Sequence, residues 1–154
     1  MPNKDKELLV KDLYARLPYK PICFKENTNC IILNSVLLEK DVYSFRTGKP
    51  TVNDYGQHDY YKTIVLELKP FLRPLSSMTK EEKEELEQKN IRIEVFNAKI
   101  VKAYKYYHNI WEQPPLELED WLVLIDWLNA HHFDYRGLIE KGLALEVPEG
   151  MYEN

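Results

Sequence analysis

Glu117-Leu118-Glu119-Asp120-Trp121-Leu122-Val123-Leu124-Ile125-Asp126-Trp127-Leu128-Asn129-Ala130-His131 is the stretch on which the fold reading turns. Pro114-Pro115 stops whatever precedes it, and Leu116 to Asp120 lead into the strongest helix of the chain. Leu118, Trp121, Leu122, Ile125 and Leu128 share one helical face, while Val123, Leu124 and Trp127 fall elsewhere on the circumference. One apolar face suffices for a surface helix. Two arrangements accommodate the surplus. Either the helix is central, packed on a sheet by one side and covered by the chain end on the other, or Trp127 with Leu124 or Val123 stays partly exposed as a partner-binding patch, tryptophan being favoured as an interface anchor.

Outward from this helix the pattern is mixed. Asp5 to Leu17 reads as an amphipathic opening helix that stops at Pro18, whose ring disfavours helical geometry in the residue before it. Ile22–Phe24 and Cys30–Leu38 read as a hairpin across Glu26-Asn27-Thr28-Asn29, followed by strands at Asp41–Arg46 and Tyr60–Leu68. Thr47-Gly48-Lys49-Pro50 reads as a turn. The two prolines of Lys69 to Leu75 argue against a central strand there. Thr79-Lys80-Glu81-Glu82 has the form of a capping box and opens a charged surface helix over Lys80–Lys89. A further hairpin through Asn97-Ala98 is the first choice for Ile91 to Ala103, with a helix over 98–107 as the alternative. Asp134 is placed to cap a short turn closed by Gly142, with Arg136 pairing Asp134 or Glu140, and residues 143–154 read as an extended tail. The expected architecture is one α+β domain over residues 1–154, an antiparallel sheet of about four to six strands flanked by the opening helix and the helix from Glu117 to His131.

Composition narrows the function classes. The chain has 154 residues, 44% hydrophobic and 30% charged, enough for a substantial core. A formal charge of -4 argues against a duplex binder that neutralises many phosphates. The longest apolar run, Trp121 to Ile125, is far short of a membrane span, and the start lacks the apolar centre of a signal peptide, so a cytoplasmic protein with no membrane partner is expected. Cys23 and Cys30 fit no common zinc spacing and read as buried thiols.

The words Trp127-Leu128-Asn129-Ala130-His131-His132-Phe133-Asp134-Tyr135-Arg136-Gly137-Leu138-Ile139-Glu140-Lys141-Gly142-Leu143-Ala144-Leu145-Glu146, with Lys6 to Tyr19 and Lys69 to Thr79, resemble a family of small proteins carried by anaerobic gut bacteria and their phages or prophages. The resemblance implies an accessory gene of a mobile element. It brings no catalytic or binding residues with it, the family's own function being unknown.

Chemistry-bearing constellations are sparse. His131, His132 and Asp134 suggest a ligand cluster, but neighbouring helix residues point about 100° apart, and H-E-x-x-H is absent, so no metal and no cofactor are expected. His131 or His132 instead suits the helix end, where an imidazole meets the last carbonyls. Neither a phosphate-binding glycine loop nor a G-x-S-x-G elbow is present, and no catalytic residue is assigned. The functional expectation is a non-catalytic interaction or regulatory protein that binds a host or element protein through Trp127, Leu124 and Val123, a second copy of the chain being a further candidate partner. The alternative is single-stranded nucleic acid held on a sheet face by Tyr104, Tyr106, Lys102 and Lys105, because aromatic and basic side chains together can stack bases and hold the backbone.

Overall fold

A computed structural model describes residues 3–25, 28–39, 42–52, 58–64 and 68–152, with side chains described for 3–24 and 68–152. Helix α1 (Asn3–Arg16) runs into a 3-10 turn at Leu17–Tyr19, where Pro18 ends the α-helical ladder as expected. Next come β1 (Ile22–Lys25), β2 (Thr28–Glu39), β3 (Val42–Val52), β4 (His58–Ile64), β5 (Leu68–Leu72), a 3-10 turn at Leu75–Ser77, and α2 (Lys80–Gln88). Strands β6 (Ile91–Phe96) and β7 (Lys99–Lys105), helix α3 (Leu118–Ala130) and the short β8 (Leu145–Glu146) complete the order. Helices and strands are both present, as an α+β chain requires.

The sheet departs from the expected one in three ways. First, where side chains are described it is three strands wide, β5 lying between β1, antiparallel to it, and β8, parallel to it, and from β1 the backbone ladder runs on through the meander β2, β3 and β4. The sheet is therefore mixed rather than antiparallel. Second, β6 and β7 pair only with each other, as a separate two-stranded ribbon. Third, the proline-bearing segment is an interior strand after all. Strand β1 pairs with residues 68–70 and β8 with 71–72, so the ladder passes from one neighbour to the other at Pro70, where a missing N–H costs least. The segment Thr47-Gly48-Lys49-Pro50 is likewise strand rather than turn, within a register shift between Thr47 and Thr51.

Two apolar clusters hold the described chain together. In one, Leu9, Val10 and Leu13 of α1 meet Cys23, Leu68, Leu72, Leu138, Leu143 and Ala144. Each fully buried leucine is worth about 1.5–3 kcal/mol relative to exposure. In the other, Leu124, Trp127 and Leu128 of α3 meet Leu75, Met78, Leu86, Ile91, Leu116 and Phe133. The two helices thus do not flank one sheet: α1 packs on β1 and β5, whereas α3 packs among α2, the ribbon and Phe133. Residues 147–152 are tied to the sheet. Val147 N–H donates to the Leu72 carbonyl at 2.9 Å, and the Tyr152 hydroxyl accepts from Ile22 N–H at 2.9 Å and donates to the Phe71 carbonyl at 3.0 Å.

Local rules read from the residues hold at the element ends. Glu82 N–H donates to Thr79 Oγ1 at 3.2 Å while Thr79 N–H donates to Glu82 Oε2 at 2.9 Å, completing the capping box. Asn97 and Ala98 both have positive φ, 48° and 58°, at the tip of the β6–β7 hairpin. Helix α3 ends in a Schellman arrangement: His132 N–H reaches the Asn129 carbonyl at 3.1 Å and Phe133 N–H the Leu128 carbonyl at 3.0 Å, with His132 at φ 60°. Segment 132–134 is then clipped to Arg73 by two backbone hydrogen bonds of 2.8 Å, which joins the α3 cluster to the end of β5.

Candidate functional site

Helix α3 presents the opposite face from the one expected. Trp127 is 5% exposed, its ring stacked on His131 at 4.1 Å and on Phe133 at 5.7 Å, and Leu124 is fully buried. These two residues belong to the core, and of the expected trio only Val123 is exposed. The solvent side carries Leu118 at 74%, Leu122 at 63%, Val123 at 44% and Trp121 at 42% exposure. The physical reason is position. Ribbon residues Ile93, Val95, Ile100 and Ala103 pack from the side that Leu124, Trp127 and Leu128 face, so Leu118, Trp121 and Leu122 of the expected stripe point outward while Leu128 is buried and Ile125 half-buried.

Helix α3 is anchored to the ribbon at its first turn. Lys105 Nζ lies 3.5 Å from Asp120 Oδ2 and 3.7 Å from Glu117 Oε2, and Lys105 N–H donates to the Pro114 carbonyl at 2.8 Å. Glu117 N–H donates to Asp120 Oδ2 at 2.9 Å, satisfying one free amide of the helix start. The connection between β7 and α3 is thereby held at both ends, and its middle projects Ile110 and a fully exposed Trp111 into solvent. Trp111 escaped the sequence reading because it belongs to no periodic pattern; its one signal is a large aromatic residue beside Ile110 in the connection before two prolines.

The same region decides how the tyrosine and lysine alternative stands. Tyr104, Lys105, Tyr106, Tyr107 and Trp111 line one groove with Arg92 and His108. Tyr104, however, is buried and its backbone bridges Pro115, so its ring is no open stacking platform. Tyr106 is covered by the Arg92 guanidinium, 3.8 Å from the ring centroid. Lys105 is held by two carboxylates, and Lys102 donates to Gln113 Oε1. Arg92 is paired with Glu87, a hydrogen bond that raises its pKa further despite partial burial. Of the four residues expected to hold nucleic acid, none combines an open ring or a free charge with a neighbour that does the same.

A second concavity lies at the C-terminal end of α3, lined by Tyr19, Arg73, Glu82, His131, His132 and Tyr152. The Tyr19 hydroxyl donates to Asp126, a bond that raises the tyrosine pKa. Arg73 forms a two-point pair with Glu82, at 2.6 and 2.9 Å. Burial pushes the Glu82 carboxyl up, and the Arg73 guanidinium with the Thr79 amide more than offsets it, leaving the carboxyl below its usual range. His132 stacks on Tyr152 at 3.6 Å. Burial first, then Arg16, His131 and Arg73, pushes its pKa down to about 4. His131 turns the other way, its Nδ1 on the Trp127 carbonyl at 2.9 Å, which is the helix-end role expected of an imidazole here.

The remaining expected cluster does not converge. Asp134 accepts Leu138 N–H and Ile139 N–H, each at 2.9 Å, so it caps the following turn and does not join the two histidines. Arg136 pairs with neither Asp134 nor Glu140; its Nε lies 3.4 Å from Asp12 Oδ1. Cys23 is buried as expected, and Cys30 lies outside the residues whose side chains are described.

No family model, curated protein or solved structure matches the chain. Among the described residues no helix is long and apolar enough to cross a membrane. The feature that stands out chemically is the apolar solvent face of α3, with Ile110 and Trp111 on the connection that leads into it.

Proposed function

We propose that this chain is a non-catalytic interaction protein, an accessory protein of a phage or mobile element, that engages a partner protein through the solvent face of α3. One observation carries the reading: Leu118, Trp121, Leu122 and Val123 are all more than two-fifths exposed on a helix whose other side is firmly packed. A cluster of large apolar side chains on a rigid element is the surface that protein partners cover. The mobile-element setting comes from the sequence resemblance alone.

The test is capture of partners from host lysate by tagged protein, beside Leu122→Asp. The reading expects one stoichiometric protein, lost in the variant while its far-UV spectrum and melting cooperativity match the parent. Retention by Leu122→Asp, or no enriched protein at all, overturns it. Single-stranded nucleic acid is the second reading, supported by the exposed Tyr107 and Trp111 beside Tyr106 in one groove. It expects salt-sensitive binding of a labelled oligonucleotide that weakens in Trp111→Ala.

A further inference from the structure

We infer that the partner seated on α3 is a basic amphipathic helix; this rests on the interaction reading above and names the chemistry of its occupant. Leu118, Trp121, Leu122 and Ile125 stand at i, i+3, i+4 and i+7, the spacing at which one helix presents a continuous stripe to another. The first three of these are open to solvent, and Ile125 is half-buried at the stripe's end.

Charge selects among occupants. Glu119 and Asp126 are both exposed, one heptad apart, and therefore run along the same flank of the stripe. The chain contains no lysine or arginine from Tyr106 through Tyr135, while the same stretch carries Glu112, Glu117, Glu119, Asp120, Asp126 and Asp134. Lys105 is taken up by Glu117 and Asp120 at the first turn of α3, and no ion pair among the described residues answers Glu119. A second copy docking α3 on α3 would set acidic flank against acidic flank with no cation on either helix to offset it. Like charges across a helix pair are repulsive, and complementary ones set partner choice. An incoming helix with leucine-like residues facing the stripe and lysine or arginine beside them satisfies both features.

The probe is a labelled, end-capped peptide of about 18 residues, roughly five helical turns, with Leu at the stripe positions and Lys at the flanks, beside an analogue with Glu replacing Lys. The inference expects saturable binding of the Leu/Lys peptide and none of the Leu/Glu analogue. Leu122→Asp and Glu119→Lys should each weaken binding by about tenfold or more. Glu81→Lys, an equal charge change on exposed α2, should leave it unchanged. Equal weakening by Glu81→Lys means diffuse attraction to an acidic protein and overturns the inference, as does binding indifferent to Leu122→Asp. A concentration-dependent dimer that Leu122→Asp disperses overturns it in favour of a second copy. If the Leu/Lys peptide fails while the lysate partner is still lost in Leu122→Asp, the basic helix falls and the interaction reading stands; if both fail, both fall.

Discussion

Arg16 grips Asp12 one helical turn away through two hydrogen bonds, 2.7 and 3.0 Å long, with neither side chain reaching solvent. The same guanidinium donates to the Phe133 carbonyl at 2.7 Å and so ties α1 to the segment leaving α3. Removing Asp12 strands the Arg16 charge in the interior, which costs about 3–5 kcal/mol, whereas removing Arg16 leaves Asp12 with Arg136 Nε at 3.4 Å, and removing both leaves only the partly exposed Arg136 without its carboxylate. Asp12→Leu should lower urea-measured stability by that amount and Arg16→Met by less, and the double variant should lose clearly less than the sum of the two. Additive losses would show that the pair has no mutual dependence.

His132 gives stability a pH slope. Its pKa falls from the usual 6.5 to about 4 through burial and the nearby Arg16, His131 and Arg73 charges, so the unfolded chain binds the proton more readily than the folded one. The contribution is complete above about pH 6.5 and is lost as pH falls toward 4, at up to about 1 kcal/mol per pH unit. Urea midpoints from pH 7 to pH 4.5 should therefore decline less steeply in His132→Asn, which keeps a residue tolerant of the left-handed φ. Parallel profiles for parent and variant would count against it.

Ala98 sits at φ 58° in a hairpin tip where both central residues have positive φ. A side chain there crowds the next carbonyl, and Asn-Gly is the pair such a turn prefers. Ala98→Gly should stabilise the protein by about 0.5–1 kcal/mol, partly offset by the freer unfolded chain. A lower melting temperature in the variant would refute the strain argument.

Cys23 should behave as an inert core atom. Burial pushes its thiol far up, with Asp12 adding and Arg16 opposing, so the reactive thiolate is scarce. In a Cys30→Ser background, DTNB should label Cys23 only as fast as the protein unfolds, and the rate should rise with urea. Rapid labelling of the native protein would place this thiol at the surface.

The features legible directly in the residues were local. Pro18 ends α1 because a ring at that position cannot donate to the helical ladder, and Thr79 with Glu82 starts α2 because their side chains satisfy neighbouring amides. Asn97-Ala98 turns the ribbon, and Asp134 caps the amides of Leu138 and Ile139, by interactions spanning no more than five residues. The face of α3 was a different matter. Apolar side chains surround most of that helix, so periodicity offers several stripes of similar merit, and the side that is buried depends on where Ile91, Leu86 and Phe133 arrive from other parts of the chain. Pro70 entered an interior strand because its two neighbours share the strand end to end, which is a property of the sheet and not of proline. Arg136 bypassed the nearby Asp134 and Glu140 for Asp12, 124 positions away in sequence, because only folding brings that carboxylate within 3.4 Å. The ends of α1 and α2, the ribbon turn and the Asp134 cap arise from short-range chemistry and were determined by the sequence alone; strand membership at Pro70, burial, exposure and the surface open to a partner depend on long-range packing, which only the tertiary structure decided.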